Sequence, residues 1–84
     1  MVSSQSVVLR AMTTADISAV CAIEQQVQYA PWTPKLFSDS LERHLCWVAQ
    51  KNQQVVGFFV VQFIVDEAHL LNIAVDPTQQ KQGI

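Results

Sequence analysis

The sequence predicts an α+β domain, a mainly antiparallel sheet with two helices in the order β-α-α-β-β-β. Three observations carry that expectation. Apolar residues recur at helical spacing only between Ile17 and Leu41. From His44 onward, strand-like apolar runs follow one another with only short polar breaks, which is the pattern of a meander. A short run rich in β-branched residues, Val7-Val8-Leu9-Arg10-Ala11-Met12, precedes the helices as a first strand.

Each element has its own local signal. Thr13-Thr14-Ala15-Asp16 has the form of a capping box and starts a helix. In that helix Ile17, Val20, Cys21 and Val27 share one stripe, while Ser18, Ala22, Gln25 and Gln26 face away. Ala30-Pro31 ends it. Thr33-Pro34 starts the second helix, with Thr as N-cap and Pro at the first helical position, leading into Leu36, Phe37 and Leu41. Leu45-Cys46-Trp47-Val48-Ala49-Gln50 is a strand, and Lys51-Asn52-Gln53-Gln54 a polar turn. Residues 55–65 form a long strand, apolar at nearly every position, so both its faces are expected to be covered. Asp66-Glu67 turns the chain into a last strand over residues 68–75, which Pro77 terminates.

Size and composition bound the rest. A chain of 84 residues holds one domain at most and buries roughly 60–65% of its unfolded surface, so its core is marginal. Hydrophobic residues make up 50%, charged residues 14%, and the mean hydropathy is +0.20. Soluble domains are typically about 25% charged, so either the core is unusually compact or some apolar surface belongs against a second half. A net charge of −2 without any basic run excludes a phosphate backbone as partner. Cys21 and Cys46 lack metal-ligand spacing and read as buried free thiols, so no metal is expected. The N-terminus shows no signal-peptide pattern, and the run over 55–65 is too short to span a bilayer. These features predict a cytoplasmic location.

The last stretch carries the chemistry. Leu70-Leu71-Asn72-Ile73-Ala74-Val75-Asp76-Pro77 reads as an apolar strand and a Pro-marked turn. Gln80-Lys81-Gln82-Gly83-Ile84 then reads as a Gly-containing lead-in to a helix, a geometry that suits a pyrophosphate. This segment resembles the start of the [RQ]-x-x-G-x-[GA] acetyl-coenzyme A loop of the GNAT acetyltransferase superfamily. The longer string from Asp66 to Pro77 is similar to the RimI branch, the ribosomal-protein-alanine N-acetyltransferases. Upstream, Ile23-Glu24-Gln25-Gln26, Pro31-Trp32-Thr33 and Phe37 resemble that branch's first helix and following loop. The likeness covers nearly all of the chain but about the first half of the family's domain. It implies an incomplete domain over residues 1–84, ending inside the acetyl-CoA loop.

The resemblance assigns expected roles. The backbones of Ile73, Ala74 and Val75 hold the pantetheine arm and polarise the thioester, and Gln80, Lys81, Gln82, Gly83 and Ile84 cradle the pyrophosphate. Gly83 lets backbone approach phosphate without a Cβ in the way. Tyr29, Pro31 and Trp32 line the entrance for a peptide N-terminus, with Phe37 as a further candidate. Trp32 and Phe37 are equally suited to plain core packing. In the RimI branch the established general base and acid lie beyond the position matching Ile84.

Two carboxylates stand out from the residues themselves. Glu24 falls in the middle of the apolar stripe, where an ionised group is costly unless it is paired or at a cleft edge. It is a substrate-binding group, the partner of a core donor, or part of a helix end frayed into solvent. Glu67 and His69 share one face of the last strand and can relay a proton through water, which makes Glu67 the catalytic candidate within the chain; both also suit a plain strand edge. Asn72, between Leu71 and Ile73, reads as a bulge or a polar-satisfying position.

Two classes of function follow. The first is an enzyme, moving acetyl from acetyl-CoA to a protein N-terminal α-amino group, with a ribosomal protein as acceptor and no activity from the 84-residue chain alone. Another amine acceptor remains open. The second is a non-catalytic half-domain that dimerises or binds a partner through its open strand edge.

Overall fold

The computed structural model describes residues 7–80. Strand β1 (Val8–Ala11) leads through a short 3-10 turn (Thr14–Asp16) into α1 (Ile17–Val27) and α2 (Pro34–Arg43). Then come β2 (Leu45–Lys51), β3 (Gln54–Ile64), β4 (Glu67–Val75) and a single helical turn, α3 (Pro77–Gln80). The four strands form one sheet in the order β1-β2-β3-β4, every neighbouring pair antiparallel. The β-α-α-β-β-β order and α+β class expected from the sequence are those of the structure.

Both helices lie on the same face of the sheet. Cys46, Val48, Phe58, Val60 and Ala74 point from three strands toward Val20, Cys21 and Ile23 of α1 and Phe37 of α2, and these residues make the buried core. Phe37 meets Phe58 edge-on, with ring centroids 5.3 Å apart. The other face carries Trp47, Phe59 and Ile73 in one row and Leu45, Val61 and Leu70 in the next, all exposed or half-buried. The expectation that residues 55–65 would be covered on both sides is therefore corrected. The uniform apolarity of β3 reflects one core face and one face with no layer over it among the described residues.

Local signals held with small shifts. The Thr13 capping box is present, since the Asp16 carboxylate accepts the Thr13 N–H at 2.9 Å, but it opens a 3-10 turn before α1 begins. Arg10 adds two charge-assisted bonds to the same carboxylate, each 2.8 Å, tying β1 to the start of α1. That pairing holds the Asp16 carboxyl well below the usual range, at about 2. Helix α1 ends at Val27 rather than at Ala30, because Gln28 turns extended. Thr33 caps α2 by accepting the Leu36 N–H at 3.2 Å, with Pro34 at the first position, as the sequence predicts. Leu36 itself is exposed, about 100° round the helix from the buried Phe37.

The hairpin turns are tighter than their polar stretches implied. Lys51 and Gln54 pair within the β2–β3 ladder, so the turn is only Asn52 and Gln53, with φ of 53° and 66°. Two consecutive left-handed residues give the primed two-residue turn that matches strand twist. The β3–β4 turn is Val65 and Asp66, not Asp66 and Glu67, and Val65 sits at φ 58° with its side chain 97% exposed. A β-branched residue in that region is strained.

Candidate functional site

Glu24 is 1% exposed, the only carboxylate so deep in the core among the described residues. Its place follows from the helical period: one turn beyond Val20 and one before Val27, it must face the sheet. Its Oε2 accepts two bonds, from the Trp32 backbone N–H at 3.0 Å and from Asn72 Nδ2 at 3.0 Å. Asn72 Oδ1 in turn accepts from Gln28 Nε2 at 3.3 Å. Oε1 is buried and has no hydrogen-bond partner. A carboxylate whose second oxygen is idle holds acceptor capacity in reserve at the junction of α1, the connection over residues 28–33 and β4. Burial at this depth excludes the frayed helix end. The other two readings of Glu24 are not exclusive: Oε2 pairs with core donors and Oε1 does not.

The entrance candidates divide. Tyr29 and Pro31 are exposed on that connection, Tyr29 completely. Trp32 is half-buried and packs on Phe37, with centroids 5.2 Å apart and rings tilted by 50°. Phe37 is fully buried, so its part is core packing.

Strand β4 supplies the cofactor candidates. Its ladder with β3 pairs Phe59 with Ile73, Phe58 with Ala74 and Gly57 with Val75. Leu71 is an extra residue, since Val60 faces Asn72 while Val61 faces Leu70, and this bulge turns Asn72 inward toward Glu24. A second irregularity leaves Val56 without a partner on β2, and its carbonyl accepts the Asp76 N–H at 2.8 Å. Gly57 permits the close approach of the strand end: a Cβ there would lie 3.1 Å from the Ala74 carbonyl oxygen. Among the described residues no strand lies beyond β4, and Ile73 is 54% exposed.

Asp76 then starts α3. Its Oδ1 accepts the Thr78 N–H at 3.0 Å and the Thr78 hydroxyl at 2.8 Å, and its carbonyl accepts the Gln79 N–H at 2.9 Å. The chain therefore turns helical from Pro77 to Gln80, the residue at which the sequence reading starts the loop. Lys51 donates to Gln79 Oε1 at 3.3 Å, joining the β2–β3 hairpin to the same turn. Lys81, Gln82, Gly83 and Ile84 lie outside the described residues.

Glu67 and His69 are neighbours, as their spacing predicts. Glu67 Oε1 and His69 Nε2 are 3.0 Å apart, and both side chains are largely in water at the far end of β4 from Ile73. Neither cysteine is poised as a nucleophile. Burial pushes the Cys21 thiol up, with the Glu24 charge adding to it, and burial alone raises Cys46. An open cleft of about 440 Å³ lies between α1 and Pro34, lined by Ile17, Ser18, Cys21, Ala22 and Gln25 as well, and none of the expected site residues lines it. Among the described residues no group of three or more His, Cys, Asp and Glu side chains could hold a metal ion, and no helix is long and apolar enough to cross a membrane.

Comparison with known proteins bears on the family of the chain. Residues 42–84 match the family described as the acetyltransferase (GNAT) domain, and the chain belongs to that family. It is similar to the [ribosomal protein bS18]-alanine N-acetyltransferase of Escherichia coli K12, at 39% identity over 77 residues, covering 90% of this chain and 52% of the relative. The crystal structure of the ribosomal-protein-S18-alanine N-acetyltransferase from Escherichia coli superimposes with a TM-score of 0.82 at 37% identity, covering 93% of this chain and 51% of that one. An N-acetyltransferase from Thermoplasma acidophilum, solved in complex with coenzyme A, shares the fold with a TM-score of 0.74 at 16% identity, covering 94% of this chain and 64% of its own. The chain spans about half the length of the curated relatives it matches.

Proposed function

We propose that residues 1–84 are the N-terminal half of an N-acetyltransferase domain of the ribosomal-protein-alanine type, working in the cytoplasm. The whole enzyme would move acetyl from acetyl-CoA to the α-amino group of a protein N-terminus. The observation that supports this most is that no described strand lies beyond β4, whose Ile73 and Ala74 lead through Val75 into the Asp76-capped turn. A strand at the edge of a sheet offers N–H and C=O groups to an extended, amide-bearing arm, so Ile73 and Ala74 fit pantetheine.

In this reading the backbones of Ile73, Ala74 and Val75 hold the arm, and Gln80, Lys81, Gln82, Gly83 and Ile84 take the pyrophosphate. When bound, acetyl-CoA supplies the thioester acetyl group. This chain's own part is to position the acceptor. Tyr29, Pro31 and Trp32 border the approach of the peptide, and Glu24, buried behind them, holds the Trp32 backbone through Oε2. Glu67, set against His69, is the one proton-relay candidate on this half, with the main acid and base expected from the other.

The test is kinetic. Residues 1–84 are joined to the C-terminal half of the Escherichia coli relative, and transfer to an N-terminal-Ala peptide is followed by thiol release. Gly83→Val should weaken acetyl-CoA and leave the peptide KM near its parent value. Glu24→Gln should do the reverse, raising the peptide KM or lowering turnover at unchanged acetyl-CoA affinity. Parent kinetics in both variants would remove these residues from the site.

A second reading is favoured by one observation, the apolar sheet face and edge at Leu70, Leu71 and Ile73. As an isolated chain the protein would self-associate through this surface.

A further inference from the structure

The geometry points to Asn72 as a positioning residue for the peptide entrance, tying the connection over residues 28–33 to the strand that presents Ile73, Ala74 and Val75. The functional half of this inference rests on the acetyltransferase reading; the structural half does not. Asn72 sits at the inward turn of the Leu71 bulge and is buried. Its amide orientation follows from chemistry. An ionised carboxylate only accepts, so the Asn72 NH2 must face Glu24 Oε2, and its oxygen is then left to accept from Gln28. The same Oε2 accepts the Trp32 N–H, so one oxygen bridges a β4 side chain and the backbone of the entrance segment.

The connection's other tie to β4 among the described residues, from Gln28, also ends on Asn72. The segment contributes Trp32 to packing against Phe37, but Tyr29, Ala30 and Pro31 are exposed and have no apolar anchor. Its backbone is therefore held at Trp32 by Glu24, and Glu24 is held in its rotamer by Asn72. Without Asn72, the carboxylate keeps only one neutral donor, and the entrance loses its fixed distance from the pantetheine strand. With both donors on Oε2, Oε1 stays buried without a hydrogen-bond partner.

Hydrogen exchange of the Trp32 backbone amide in the 84-residue chain tests the linkage directly. Asn72→Leu keeps the size and removes the donor. It is expected to speed exchange at Trp32 by about tenfold or more, while amides of β2 and β3 such as Val48 and Phe58 change far less. Unselective acceleration of all core amides in a folded Asn72→Leu variant, or unchanged exchange at Trp32 in it, would overturn the linkage. If Asn72→Leu does not fold, Asn72→Ala decides the matter. That variant also removes the donor to Glu24, and unchanged exchange at Trp32 would sink the proposal. In the joined acetyltransferase, Asn72→Leu should raise the peptide KM with acetyl-CoA affinity near the parent's. An unchanged peptide KM alongside a selective Trp32 effect would overturn the functional half alone, and absence of transfer by the parent fusion would overturn the acetyltransferase reading instead.

Discussion

At the scale of single residues, two carboxylates show how the same group is stabilised in different ways. Asp16 is held by a bidentate guanidinium and by the N–H it caps, and its carboxyl is lowered from 3.8 to about 2, chiefly by Arg10. A group whose folded value is depressed adds stability above its unfolded value, and that stability is lost as pH falls toward the folded one. Asp16→Asn should therefore lower stability at neutral pH by about 1 kcal/mol, a modest figure because Arg10 is partly in water. The two proteins should converge below about pH 2. Chemical denaturation at several pH values would show this, and a gap that persists in acid would contradict it. Glu24 has no cation and relies on two neutral donors. Its depth was legible from the helical stripe, because residues 20, 24 and 27 fall on one face. Its partners were not, since Asn72 is 48 residues away and nothing local announces the contact. Tyr29 was legible only as an aromatic near a turn, and that pattern does not separate an exposed ring from a buried one.

At the scale of elements, the end of β4 is set by irregularities in its neighbour. The extra residue Val56 gives its carbonyl to Asp76, and Gly57 lets the Ala74 carbonyl come close. Gly57→Val would press a branched side chain against that carbonyl and the Val75 side chain. Overpacking of this kind typically costs about 1–3 kcal/mol, and the urea midpoint of the chain should fall accordingly. A midpoint equal to the parent's would mean that β4 yields without cost and is not held by this approach. The strands were readable because apolar runs and polar breaks alternate cleanly. The bulges were not, because an extra residue in a ladder depends on the register between strands. The helix caps, Thr33 with Pro34 above all, were read correctly because a cap depends on residues within one turn of each other. The end of α1 shifted by three residues because Gln28 leaves the helix to reach Asn72, a tertiary demand that overrides local preference.

At the scale of the whole molecule, the structure is a sheet with helices on one face and apolar rows on the other. Composition pointed this way, since 50% hydrophobic residues exceed what one helical layer can cover. Uniform apolarity in residues 55–65 nonetheless reads alike for a strand covered on both sides and for one covered on a single side. With Leu70 and Ile73 exposed on β4, the outermost described strand, the isolated chain should form dimers or larger species at micromolar concentration. Ile73→Lys should weaken that association. Light scattering from a clean monomer over the same range, with a cooperative melt, would show that the edge is capped in another way. The central claim is that these residues are half of an acetyltransferase, and acetyl transfer by the joined protein tests it most directly. The account predicts release of free coenzyme A, dependent on an N-terminal-Ala peptide and well above the buffer rate, with none from residues 1–84 alone. A folded fusion that binds neither acetyl-CoA nor peptide and releases no thiol would contradict it.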